Sequence, residues 1–225
     1  MKFDIITIFP KIFDSYFGEG MIRRAREKEI IKIEAHDLRQ WTQDKHKSVD
    51  DKPYGGGPGM VMMAEPIYKA VKSVKDNYQI ERKKTENQIS RKIILFSAKG
   101  KRFSQADARR FAKCDQLILI CGRYEGVDER VAEHIADEEI SIGEFVLTGG
   151  EIPAMIMVDA VSRLIPGVLG KEESLAEESF SQEGYAEYPQ YTRPEEFMGW
   201  KVPDVLLSGD HKKIEEWKKR NAGNN

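Results

Sequence analysis

The chain has 225 residues, 40% of them apolar and 33% charged, with a formal net charge of -2. That length has room for one large domain or two smaller ones around a proper core. The near-neutral balance excludes a polycation, so any nucleic-acid binding has to come from local patches.

Phe3–Phe9 is expected as a strand, and its apolar run is broken by Asp4, which excludes a signal peptide. Pro10 sits where a helix can begin, and that helix is expected through Arg26 with Ile12, Phe13, Tyr16 and Phe17 on one face. Ile31–Ala35 alternates as a second strand. A long polar stretch, Asp37–Asp51, then leads into Lys52-Pro53-Tyr54-Gly55-Gly56-Gly57-Pro58-Gly59-Met60. Its glycines and prolines exclude helix and interior strand. Loops this long inside a compact domain are usually functional or disordered.

Glu65–Val74 reads as a helix, Lys75–Arg91 as a polar connector and Lys92–Ser97 as a strand, followed by a loop at Ala98-Lys99-Gly100. Ser104-Gln105-Ala106-Asp107 is a capping-box variant that opens a helix to Cys114. Leu117–Cys121 is short and branched enough for a buried strand, and it ends on Gly122-Arg123-Tyr124-Glu125-Gly126. A second apolar-then-glycine unit follows, from Ile140-Ser141-Ile142-Gly143 to Leu147-Thr148-Gly149-Gly150. Glu151–Ile165 then reads as a nearly all-apolar helix, too short and too charged (Asp159, Arg163) for a bilayer, which needs roughly 20 residues. The alternation of strand, loop and helix predicts an α/β fold, a parallel sheet with crossover helices on both faces. Glycine loops at neighbouring strand ends make the crevice in which such sheets hold ligands.

Lys171–Gln190 carries six Glu and no cation after Lys171, as expected of a mobile acidic linker. Beyond it a small segment opens at Tyr191 and closes on a helix over Asp210–Arg220, acid first and Lys218-Lys219-Arg220 last, in keeping with the helix dipole. The domains are therefore expected at 1–169, 170–190 (linker) and 191–225. Cys114 and Cys121 are expected as reduced core residues. His36, His46, His134 and His211 are scattered, without zinc spacing, and no metal ligands are assigned. There is no G-x-S-x-G and no phosphate loop. Three strand-end loops without a phosphate signature suit an adenosine-bearing ligand that lacks a pyrophosphate.

CGRYEGVDERV at Cys121–Val131 and EISIGEFVLTGGEIPAMIMVDAVSRLIPGVLG from Glu139 onward resemble the bacterial tRNA (guanine-N1) methyltransferases, members of the knotted SPOUT class. The likeness runs from ITIFP at Ile6–Pro10, through VDD-x-PYGGGPGM, to VLLSGDH at Val205–His211. It implies a trefoil knot, a small helical C-terminal tRNA-binding domain, and a homodimer whose active site is shared between chains. It further implies methyl transfer from S-adenosylmethionine to N1 of guanosine 37, beside the anticodon of tRNA. A cytoplasmic location follows, with neither membrane nor DNA as partner. Magnesium enters only through the resemblance. Two other readings stay open: a knotted methyltransferase acting on ribosomal RNA or a ribose 2′-hydroxyl, and a non-catalytic RNA-binding module.

Carried over by position, the resemblance puts the methyl donor on Ser97, Gly122, Tyr124, Glu125, Gly126, Ile142, Gly143, Glu144, Phe145, Val146, Leu147, Gly149, Gly150 and Pro153. Glu125 is a candidate for the ribose hydroxyls or the sulfonium charge, or else a solvated turn acid. Where the family usually has Pro and Gln, this chain has Ala98 and Lys99. The general base falls on Glu178, where Asp is commoner, with Glu177 as a neighbouring alternative, and the cation opposite it on Arg163. His46, Lys47, Asp50, Ser179 and Arg193 are the implied tRNA contacts.

Overall fold

The structure, a computed structural model, describes residues 1–81, 89–170, 178–181 and 184–224. The chain divides into two compact units, Met1–Gly170 and Lys171–Asn225. In the first, strands β1 (Lys2–Thr7), β2 (Lys32–Asp37), β3 (Arg91–Arg102), β4 (Gln116–Cys121) and β5 (Glu138–Ser141) form one parallel sheet in the order β2-β1-β4-β3-β5.

Period-two alternation divides the core between the two faces of this sheet. Phe3, Ile5, Leu117, Leu119, Ile94 and Phe96 point to one face. There they meet Phe13 and Phe17 and the buried sides of α1 (Gly20–Glu27), α3 (Gln105–Phe111) and α5 (Glu151–Ser162). Ile6, Ile118, Ile120, Ile93 and Leu95 point to the other face, against α2 (Ala64–Glu81) and α4 (Glu129–His134). The architecture is thus the expected α/β one, a parallel sheet covered by helices. The fully buried Asp4 is matched inside it: it accepts from Gln116 Nε2 at 2.7 Å and lies 2.8 Å from His36 Nε2.

Three local expectations change in the structure. The helix expected over Pro10–Arg26 is a 3₁₀ turn (Pro10–Phe13), a single turn (Asp14–Phe17) and then α1. Glu19 is extended between Gly18 and Gly20, and Gly20 has φ +61, so the helical ladder stops there. α2 runs on through the expected connector to Glu81, because Val74 and Tyr78 continue the stripe begun by Ile67 and Val71. β3 does not end at Ser97: both Phe96 and Lys101 pair with Ile140, so Ser97–Gly100 bulges out between them. A Cβ on Gly100 would lie 2.6 Å from Glu139 C and Ile140 N, and only glycine lets the bulge close onto β5.

The capping box takes the expected form: Ser104 Oγ accepts from Asp107 N, and Asp107 accepts from Ser104 N. Asp107 also binds Lys101 and Arg110, and these partners hold its carboxyl down at about 2 against the cost of its burial.

In the second unit Asp210 caps α7 (His211–Asn221), which follows the short α6 (Asp204–Leu207). Tyr188 and Tyr191 stand edge-on to Trp217, with ring centroids 6.4 and 6.2 Å away. Glu196–Phe197 pairs with Trp200–Lys201, and Tyr185–Ala186 with Gly223–Asn224. Among the described residues no helix is long and apolar enough to cross a membrane.

Candidate active site

A cavity of about 490 Å³ opens at the C-terminal ends of the three adjacent strands β4, β3 and β5. Ser97, Ala98 and Lys99 reach it from the β3 bulge, and Gly122–Val127 from the turn after β4. The third side is Ile140–Gly143, from the end of β5, and Phe145–Gly150, with Pro153 from the first turn of α5.

Of the residues expected at the donor, Ser97, Gly122, Tyr124, Glu125, Gly126, Ile142, Gly143, Phe145, Val146, Leu147, Gly149, Gly150 and Pro153 line this one cavity. Glu144 lies outside the lining and pairs with Arg102.

The two glycine loops are joined backbone to backbone. Gly150 N donates to Gly122 O at 2.9 Å, and Arg123 and Gly149 form an antiparallel bridge. A Cβ on Gly150 would sit 2.7 Å from Cys121 Cα, so this approach needs glycine. Underneath, Arg123 Nε donates to the buried Glu151 at 2.9 Å, and Glu151 accepts from Thr7 Oγ1 at 2.8 Å. Glu151 stands in the first turn of α5, where a carboxylate is favoured by the helix dipole. The Arg123 guanidinium also lies 4.8 Å from the centroid of the Phe9 ring and donates to Thr148 O at 3.2 Å. Sequence reasoning passed over this Thr7–Glu151–Arg123 scaffold. Its traces were a lone Thr in the first apolar run and an acid directly after LTGG.

The glycine-rich stretch is the loop of a hairpin closed by Asp50–Asp51 against Val61–Met62. It is stitched to the β4 turn through Glu125 N to Met60 O at 3.0 Å and Met62 N to Gly126 O at 2.9 Å. Tyr124, at φ +61, hydrogen-bonds Asp50. Burial first, and Asp50 second, push its phenol above the ordinary value. Asp50, an implied tRNA contact, therefore adjoins an implied donor contact. His46 and Lys47 are exposed on a turn that Asp44 organises by accepting from His46 N and Ser48 N.

Arg163 closes α5 as its C-cap and is outside the cavity lining. Glu178 begins the described part of the second unit, where Ser181 N donates to Glu178 O at 2.9 Å and Ser179 Oγ accepts from Glu187 N at 2.9 Å. Arg193 is exposed. Glu177 and most of the acidic stretch before it, 171–177, lie outside the described residues, as do 182 and 183.

The family model described as tRNA (Guanine-1)-methyltransferase TrmD matches residues 1–225. The chain belongs to the tRNA (guanine-1)-methyltransferase family. A tRNA (guanine-N(1)-)-methyltransferase of Dictyoglomus turgidum is 52% identical over 222 residues, covering 99% of this chain and 85% of that protein. One from Clostridioides difficile is 49% identical, covering 99% and 92%. One from Ruminiclostridium cellulolyticum is 50% identical over 218 residues, covering 97% and 89%.

For a methyltransferase of this family the cavity has the right chemistry: glycine edges for close backbone approach, apolar side chains to exclude water, and no phosphate cradle. Among the described residues the one group of three possible metal ligands is Asp4, Glu34 and His36, and the Lys2 ammonium lies 3.4 Å from Asp4 and 2.9 Å from Glu34.

The glycine loops carry a direct prediction. At Gly122 a Cβ would meet the movable Val127 Cγ2 at 3.0 Å, whereas at Gly150 it meets backbone. Gly122→Val should therefore weaken S-adenosylmethionine binding about tenfold or more with little change in melting temperature. Gly150→Val should lower the melting temperature itself. Calorimetric titration and thermal unfolding of both variants check this, and full donor affinity in a folded Gly122→Val would remove the loop from the site.

Proposed function

We propose that this chain transfers a methyl group from S-adenosylmethionine to N1 of guanosine 37 in tRNA. The observation that carries the reading is the glycine-edged cavity across three strand ends in a chain that matches the family over its whole length. The relatives, half identical across nearly the whole chain, favour it over a ribosomal-RNA or ribose methyltransferase and over a non-catalytic module.

When bound, S-adenosylmethionine supplies an activated methyl group on a sulfonium. The work left to the chain is to align the acceptor, exclude water and remove one proton. Glu178 takes the N1 proton as general base. The Arg163 guanidinium offsets the negative charge that spreads towards O6 as that proton leaves. Asp50, His46, Lys47, Ser179 and Arg193 hold the tRNA. In domain terms, residues 1–169 carry the donor site, 170–190 the linker and 191–225 further tRNA contacts, and the enzyme works in the cytoplasm. The trefoil knot belongs to the same reading and rests on the family resemblance.

The working unit is a homodimer with a shared active site. α5 buries Ala154, Met157, Val158 and Val161 on one side yet exposes Ile152 and Ile156 on the other. Phe9, Ile12 and Tyr16 are exposed as well, and Tyr16 hydrogen-bonds Asp159. A helix that is apolar on both sides calls for a cover on both. Positions 152, 156, 159 and 163 share one helical stripe, so Arg163 lies at the end of the proposed interface.

The test is transfer of labelled methyl to an unmodified tRNA transcript, followed by mapping of the product base. N1-methylguanosine at position 37 is expected; label on a ribose, or only on ribosomal RNA, would overturn the reading.

A further inference from the structure

We propose that Lys99 binds the carboxylate at the amino-acid end of the methyl donor, releasing Glu129 to do so, and thereby sets donor specificity. The inference rests on the donor reading above. The cavity has two unlike walls. Ile142, Gly143, Leu147 and Gly150 make an apolar, close-fitting side suited to an uncharged planar base. Opposite in character is the group Lys99, Glu129 and Glu139, which brings both signs of charge to the lining. A donor with a free amino-acid end is a zwitterion, and a wall of both signs can pair with both of its charges.

Two cations line the cavity, and they are not equivalent. Arg123 is committed to the buried Glu151, to Thr148 and to the Phe9 ring. The Lys99 ammonium lies 2.5 Å from Glu129, with each side chain 58% exposed. An ion pair so open to water is worth little, so exchange of one carboxylate for another is nearly free. The ammonium is charged at working pH with or without Glu129, since a lysine side chain ordinarily loses its proton only well above neutrality. The Lys99 backbone N–H donates to Ser97 Oγ at 3.3 Å, which anchors the stem from which the side chain swings. Glu139, 4.0 Å from the same ammonium and only 23% exposed, remains in place for the donor's amino group.

The test is calorimetry on the full chain with S-adenosylmethionine and with decarboxylated S-adenosylmethionine, which keeps the sulfonium and the amine. The unaltered protein should prefer the carboxylated donor by about five- to tenfold, the size of one partly exposed charge-assisted contact. Lys99→Met should lose that preference through weaker binding of S-adenosylmethionine alone, and Lys99→Arg should keep it. Glu129→Gln, which removes the competing carboxylate, should widen the preference. If Lys99→Met weakens both ligands equally, or neither, the assignment is wrong. Binding of neither ligand by the unaltered protein would instead overturn the donor reading itself.

Discussion

Glu178→Gln is expected to cut turnover by about 10²–10⁴-fold, the range for loss of a general base. Guanine N1 carries a weakly acidic proton, and the nitrogen cannot attack the methyl carbon until that proton has somewhere to go. A carboxylate accepts it; a carboxamide of the same shape does not. Donor affinity should barely change in this variant, because Glu178 is not among the residues lining the donor cavity. Glu178→Asp should retain measurable activity, since it keeps the carboxylate, and any modest loss would report a backbone fitted to the longer side chain. Glu177→Gln is the control and should be almost silent. Full activity in Glu178→Gln with none in Glu177→Gln would move the role by one residue, and full activity in both would take this segment out of catalysis.

Mixing an Arg163→Ala chain with a Glu178→Ala chain should restore activity that neither parent has. Arg163 belongs to the first compact unit and Glu178 to the second. In a shared site each active centre takes Arg163 from one chain and Glu178 from the other, so a mixed dimer holds one centre with both residues intact. At statistical exchange half of the dimers are mixed, which predicts about a quarter of the activity of an equal amount of the unaltered protein. Exchange is checked by differently tagged chains, and activity no higher than the parents after confirmed exchange would sink the shared site. Ile156→Lys tests the proposed interface more bluntly: if the chain pairs through the exposed stripe of α5, a charge there should shift it towards monomer in sedimentation.

What the amino-acid order determined by itself was whatever has a cause within a few residues. The unbroken run Leu117–Cys121 is a strand buried along its whole length, because nothing polar in it could reach water. The spacing of Ser104 and Asp107 makes a capping box, because both partners sit in one turn. The glycine loops after the strands come together at one cavity, as chain-order alternation implies for a parallel sheet. The tertiary structure decided what depends on partners far along the chain. Thr7 and Glu151 are 144 positions apart and Asp4 and Gln116 are 112 apart, and in each case a buried polar atom is matched only by folding. The length of α2 was decided by the sheet face that Val74 and Tyr78 cover, and the bulge of β3 by the backbone of β5 against Gly100. Local propensity is short-ranged, whereas the desolvation of a carboxylate or the cover for an apolar stripe is settled only when distant strands and helices meet.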